Sequence, residues 1–151
     1  LSKQRRGRSQ SCKTPPTDMQ GRKMGNTKSN KDIITRFLNA VEVGDVDTIE
    51  ELQAPDCSWW VLGRGDISRE TYTNDVRGML LAATPRKVNI IGLVAEGDNV
   101  AAEIRSEFHF GDRVYANEYH DLFVLRDGKI IHGREYCDTA KVARFFGKME
   151  G

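Results

Sequence analysis

The sequence predicts one α+β domain, with helices packed on one face of an antiparallel sheet. Apolar residues recur at helical spacing in the first half, at Ile33, Ile34, Phe37, Leu38 and Val41 and again at Tyr72, Val76, Met79 and Leu80. From Val88 onward, strand-forming runs alternate with turn residues at 97–99, 111–112 and 127–128. Helices and strands segregated in this way give α+β rather than a parallel α/β sheet. At 151 residues the chain has room for one domain with a real core and hardly for two.

Residues 1–29 are rich in Arg, Lys, Ser, Gln, Gly and Pro and are expected to be a disordered basic tail. Met24 reads as a natural start, and Met24, Gly25 and Ser29 fit a myristoylation pattern. The domain is expected over 30–151. Asn30 is a plausible N-cap and Gly44 a plausible stop for the first helix. A short second helix spans Val46 to Leu52, ending near Pro55. Cys57 to Leu62 reads as a strand, on which Trp59 and Trp60 point to opposite faces. The inward indole is open to two readings, as core or as the wall of a ligand site.

Gly63 to Gly65 form a loop, Ser68 is a cap, and Thr71 to Ala83 form the third helix, closed by Pro85. Strands follow at Val88 to Ala95 and Val100 to Phe110, then a long hairpin, Tyr115 to Leu125 and Lys129 to Asp138, turned by Asp127 and Gly128. Ala140 to Phe146 suits a terminal helix.

Composition bounds the function classes. The tail carries eight Lys or Arg against Asp18, which leaves −6 for residues 30–151 within a total of +1. An acidic body argues against nucleic acid as a partner of the folded domain. No apolar run approaches the roughly 20 residues of a membrane span. Cys12, Cys57 and Cys137 are an odd number without a close pair, which favours a reducing, cytoplasmic setting. For the tail, binding to nucleic acid or an anionic membrane and an organellar transit role stand beside a plain solvated extension.

The hairpin carries the functional signal. Asn117, Tyr119, Asp121 and Phe123 share one face if the strand alternates regularly, and an ionisable group in such a row needs a partner or a chemical role if that face is the interior; the other reading puts Asp121 in solvent on the convex face. Glu135 is the second acid, open to catalysis or to an ion pair with Arg105 or Arg134. Asp138 and Thr139 suit the cap of the last helix. His109, His120 and His132 lie on different strands without a short-range metal spacing, so no metal is expected.

Arg36-Phe37-Leu38, then 43–47 (VGDVD) and 56–59 (DCSW), with the close at 127–130 (DGKI) and 134–139 (REYCDT), resemble SnoaL-like proteins of the nuclear transport factor 2 and ketosteroid isomerase superfamily. The resemblance covers Asn30 to about Phe146. It implies a curved antiparallel sheet wrapped around helices to form a cone-shaped pocket, the NTF2-like or cystatin-like α+β barrel, and a homodimer through the outer face of the sheet. Against the ketosteroid isomerases, the helix-one Tyr falls on Phe37 and the base on Trp60 or Val61; only Asp121-Leu122-Phe123 resembles their motif. Against the limonene-epoxide hydrolases, 133–138 aligns with their closing segment, placing Glu135 at the acidic position. Arg105-Ser106-Glu107 resembles their Arg-x-Asp pair after a slip of one residue, and one residue exchanges the faces of a strand. In SnoaL-type cyclases one Asp acts as acid and base, and Asp121 matches it.

The reading that follows is a cofactor-independent enzyme acting by general acid and base catalysis on a small apolar ketone, polyketide or epoxide, as isomerase, cyclase or hydrolase. Asp121 and Glu135 are the expected catalytic groups, with Tyr119, Asn117, Arg105, Trp60, Phe37 and Phe123 contacting substrate. The alternative is a non-catalytic ligand-binding or dimerisation module.

Overall fold

The computed structural model describes residues 26–147. The expectations for residues 1–25, including Met24 and Gly25, lie outside the described residues. Helix α1 (Thr27–Val43) starts four residues before the expected point, inside the stretch expected as disordered tail, because Asn26 rather than Asn30 is its N-cap and accepts from the N–H groups of Lys28 and Ser29. The polar residues 27–29 carry no apolar period and so gave no helix signal. Asn30 is buried instead, donating through Nδ2 to Gly97 O at 3.2 Å and tying α1 to a distant turn. Gly44 ends α1 in the left-handed conformation, at φ 82°.

Helix α2 (Val46–Glu51) is capped by Asp45, and α3 (Arg69–Ala82) by Ser68. Strand β1 (Gln53–Val61) begins earlier than expected and includes Pro55; its ladder is interrupted between Gln53 and Ser58, where a proline is tolerated. Strand β2 (Gly65–Ser68) is not expected from the sequence, where its first residue reads as loop and its last as a helix cap. Its four residues include Gly65 and Asp66, which read as turn residues, so only the pairing with β1 makes it a strand. Strands β3 (Arg86–Glu96), β4 (Asn99–Phe110), β5 (Arg113–Arg126) and β6 (Lys129–Glu135) form the expected antiparallel meander. Helix α4 (Thr139–Phe146) follows, with Asp138 Oδ1 capping it by accepting from the N–H groups of Ala140 and Lys141.

One six-stranded sheet results, in the order β2-β1-β6-β5-β4-β3, closed to the meander by a parallel β1–β6 pairing. Register shifts at Ile90/Gly92 and Val124/Leu125 help the sheet curve. Helix α1 packs on β3 and β4, α3 on β1, and α4 on β5, so the helices cover the concave face.

The core centres on Trp59, which is 0% exposed and stacks on Tyr72 with centroids 3.6 Å apart. Phe37 and Phe123 pack around it at 6.0 and 5.9 Å. Its indole Nε1 donates to Gln53 Oε1 at 2.9 Å, so the polar tip is satisfied in the interior. Gly133, paired with Trp59 across β1 and β6, leaves the space: a Cβ there would stand 2.3 Å from the ring.

Arg86 joins helices to sheet. Its guanidinium donates to Glu42 O and Val43 O at the end of α1 and to Leu80 O and Ala83 O at the end of α3. Carbonyls at a helix end lack intrahelical donors, and one cation here serves two ends.

Candidate active site

Between the helices and the concave face lies a cavity of about 440 Å³, within the range that accommodates a small organic ligand. Phe37, Leu38, Val41, Val76, Met79 and Ile104 supply much of its apolar wall. Its polar groups are fewer: Tyr72, Ser106, Tyr115, Tyr119, Asp121, Glu135 and Cys137, with an Arg64–Asp75 ion pair at the more exposed rim.

Strand β5 delivers the central row. Its buried positions alternate through Tyr115, Asn117, Asp121, Phe123 and Leu125, with Tyr119 partly buried in the same phase. Asp121, 6% exposed, therefore faces the cavity rather than solvent. Leu122 pairs with Arg134, and the His120 N–H donates to Tyr136 O at 3.0 Å. Those two pairs flank Asp121 and Glu135, so the register sets these residues opposite each other, at a cross-strand spacing of roughly 5 Å between Cβ atoms.

Two carboxyls so placed repel when both are charged. Burial, and then the Glu135 charge, push the Asp121 carboxyl well above the usual carboxylate range, although the Tyr136 N–H donating to its Oδ1 at 3.2 Å works against this. Burial raises Glu135 to about 7. Among the described residues, no basic side chain forms an ion pair with either carboxyl. Burial also pushes the Cys137 thiol up to about 12, so it stays neutral at physiological pH.

The other expected site residues divide. Phe37 and Tyr119 line the cavity. Phe123, 1% exposed, is not among its lining residues; it packs against Phe37 and Trp59 in the core. Asn117 is buried behind the lining and holds Tyr115 and the Asp138 carbonyl.

Two expectations are corrected. Trp60 lies outside the cavity: Trp59 takes the inward position opposite Gly133, and alternation turns Trp60 to the other face, against Tyr136 at 5.2 Å and Arg134 at 4.5 Å. Arg105 also lies on the outer face, 61% exposed and paired with Glu118, because Ile104 and Ser106 occupy the inward positions of β4. The one-residue slip in the Arg-x-acid alignment is this exchange of faces.

The ion pair weighed for Glu135 does not form. Arg105 is taken by Glu118, and Arg134 lies over Trp60 while its Nε donates to Tyr136 Oη at 3.0 Å. The histidines do not meet either: His109 bonds Glu107 and His132 bonds Ser58, and the described residues hold no metal-binding cluster. Sequence reasoning missed Tyr72, Ser106 and Tyr115. The last two were accessible in principle, since each falls in phase with the inward row of its strand, Tyr115 with Asn117 and Ser106 with Ile104 and Phe108.

A family model of the SnoaL-like domain matches residues 34–133, most of the chain. The chain belongs to the SnoaL-like domain family. Solved structures agree on its fold. AclR of Streptomyces galilaeus, proposed to be a hydroxylase, superposes with a TM-score of 0.72 at 16% identity, over 82% of this chain and 99% of that one. An epoxide hydrolase of the limonene-epoxide-hydrolase-like type from M. tuberculosis gives 0.69 at 24% identity, over 81% and 90%. IdmH of Streptomyces antibioticus, proposed to be a polyketide cyclase, gives 0.67 at 19%, over 78% and 98%. The SnoaL-like domain thus adopts the NTF2-like fold, a name that another match carries in its description. No curated protein matches the sequence. Among the described residues, no helix is long and apolar enough to cross a membrane.

Proposed function

We propose that this SnoaL-like domain is a cofactor-independent enzyme that moves protons on a small apolar molecule, a ketone, polyketide or epoxide, with Asp121 and Glu135 sharing one proton. The observation that carries this reading is the pair itself: two carboxyls opposite each other on adjacent strands, both lining an apolar cavity and neither paired with a cation among the described residues. Like charges this close do not both ionise readily, so near neutrality one group is a carboxylate and the other an acid. With both forms present, one group takes a proton from the ligand and the other returns one elsewhere. On an enolisable ketone the result is isomerisation or ring closure. With an epoxide, the acid protonates the ring oxygen while the carboxylate activates water.

A second reading, a ligand-binding module, draws support from the predominantly apolar wall and from the hydrogen bond that Asp121 already accepts from Tyr136. Turnover separates the two. Assayed against a panel of ketosteroids, epoxides and polyketide-like ketones, the wild type is expected to convert at least one compound. Asp121→Asn and Glu135→Gln are each expected to lower that rate by about 10²–10⁴-fold while ligand affinity changes little. Full activity in both variants sinks the enzyme assignment to this pair, and binding without turnover across the panel favours the module.

A further inference from the structure

The cavity contains a second polar feature that the carboxyl pair does not use. Ser106 on β4 is 7% exposed and lines the cavity, yet its Oγ has no hydrogen-bond partner among the described residues. A buried hydroxyl left unpaired is costly, so its position in a ligand cavity calls for a group from outside. Its neighbour on β5 is Tyr119. Ser106 pairs with Asn117 and Ile104 with Tyr119, so Ser106 and Tyr119 are diagonal neighbours on the same face.

A chain of hydrogen bonds behind Tyr119 leaves one phenol proton over for the cavity. The Asn117 Oδ1 accepts the Glu118 N–H at 2.8 Å, which orients the amide. Both Nδ2 protons are then committed, one to Asp138 O at 3.1 Å and one to Tyr115 Oη at 2.8 Å. Tyr115 is buried, accepts from Asn117 and shares one further hydrogen bond with Tyr119 Oη at 3.1 Å, in which either hydroxyl can donate. That single bond uses one of the two phenol protons and leaves the other over, which is the Tyr119 proton where Tyr115 is the donor. Tyr115, Tyr119 and Ser106 all line the cavity, and Ser106 Oγ has no hydrogen-bond partner among the described residues. Each bond in such a chain polarises the next, which strengthens Tyr119 as a donor.

We infer that Ser106 and Tyr119 form a subsite of two hydroxyl donors for one carbonyl oxygen of the ligand, two residues along β5 from Asp121. In this arrangement Tyr115 is the donor to Tyr119, and Tyr115 and Asn117 are positioning residues that leave the Tyr119 hydroxyl free to donate to the ligand. The assignment rests on the proposed reading only in taking this cavity as the ligand site, and it narrows the ligand to an apolar body bearing a carbonyl. Where the carboxyl pair removes a proton next to that carbonyl, charge develops on the oxygen that the two hydroxyls hold. Donors fixed in advance at that point stabilise it most.

Two bicyclic probes of nearly equal shape test this, 1-tetralone with its carbonyl and tetralin without it. The wild type is expected to bind 1-tetralone roughly tenfold more tightly, with the carbonyl stretching band of the bound ketone shifted to lower frequency. Ser106→Ala and Tyr119→Phe are each expected to remove much of that preference, and the double variant all of it, with tetralin affinity retained as the sign of an intact cavity. Tyr115→Phe is expected to reduce the band shift without abolishing it. If Tyr119→Phe does not fold, Ser106→Ala alone still decides, since it must weaken 1-tetralone and leave tetralin alone. Equal affinity for the probes in the wild type, or a preference that survives in Ser106→Ala, overturns the subsite. In Asp121→Asn the preference is expected to persist; its loss there would place the oxygen at the carboxyls and also overturn it. Full activity of the carboxyl variants, by contrast, defeats the acid–base reading and leaves this binding result standing.

Discussion

Glu135 titrates near pH 7 in the folded protein because burial disfavours its charged form, and Asp121 is raised further by burial and by Glu135 itself. Unfolded, both carboxyls ionise in the ordinary range near pH 4. Between those limits the folded state binds protons that the unfolded chain has released, so stability falls as pH rises. For Glu135 alone, the displacement from 4.5 to about 7 corresponds to something on the order of 3 kcal/mol, present below pH 4.5 and lost by pH 7. Chemical denaturation from pH 4 to 8 is expected to show this decline, and Glu135→Gln, uncharged throughout, to flatten it. A wild-type stability that rises across that window would contradict the burial of the pair. At this scale the alternation of β5 was legible, because residues two apart share a face whatever their partners. Which indole faces inward was not, since Trp59 and Trp60 differ only by the space that Gly133 leaves on another strand.

Among the elements, the pairing of β1 with β6 matters most for the site. It closes the sheet beside the meander, seats Trp59 over Gly133 and brings the end of β6, with Glu135, beside the cavity. Gly133→Ala puts a methyl group where the Trp59 ring already stands, 2.3 Å away, so the fully buried indole or the backbone must shift. Overpacking of this kind costs roughly 1–3 kcal/mol, to be read as an earlier midpoint in urea unfolding. An unchanged midpoint would show the β1–β6 contact to be looser than described. The hairpin of β5 and β6 was legible from Asp127 and Gly128, which turn it with positive φ. Strand β2 and the start of α1 were not. Their residues are polar or turn-forming, and they take their structure from a neighbouring strand and from the Asn26 cap. Arg86, which joins the ends of α1 and α3 to β3, was equally hidden, because its acceptors are backbone carbonyls with no sequence signature.

Across the whole molecule, the curved sheet and its covering helices turn a polar row on one strand into one wall of a cavity. The fold class follows from segregated periodicities, and the shared face of Asn117, Tyr119 and Asp121 from strand alternation; which face of the sheet that row occupies is set by where the helices pack. The outward placement of Arg105 follows from the alternation of β4, where Ile104, Ser106 and Phe108 take the inward phase, and an alignment slipped by one residue concealed it. Catalysis here requires the two carboxyls to act as one proton-sharing unit in that cavity. The decisive measurement is the NMR titration of the side-chain carboxyl carbons of Asp121 and Glu135 in the intact protein. One carboxyl is expected to remain protonated well above the ordinary range, with a step near pH 7, and Glu135→Gln to shift Asp121 downward by removing the repelling charge. Two independent titrations near pH 4, each unmoved by loss of the other group, would contradict it.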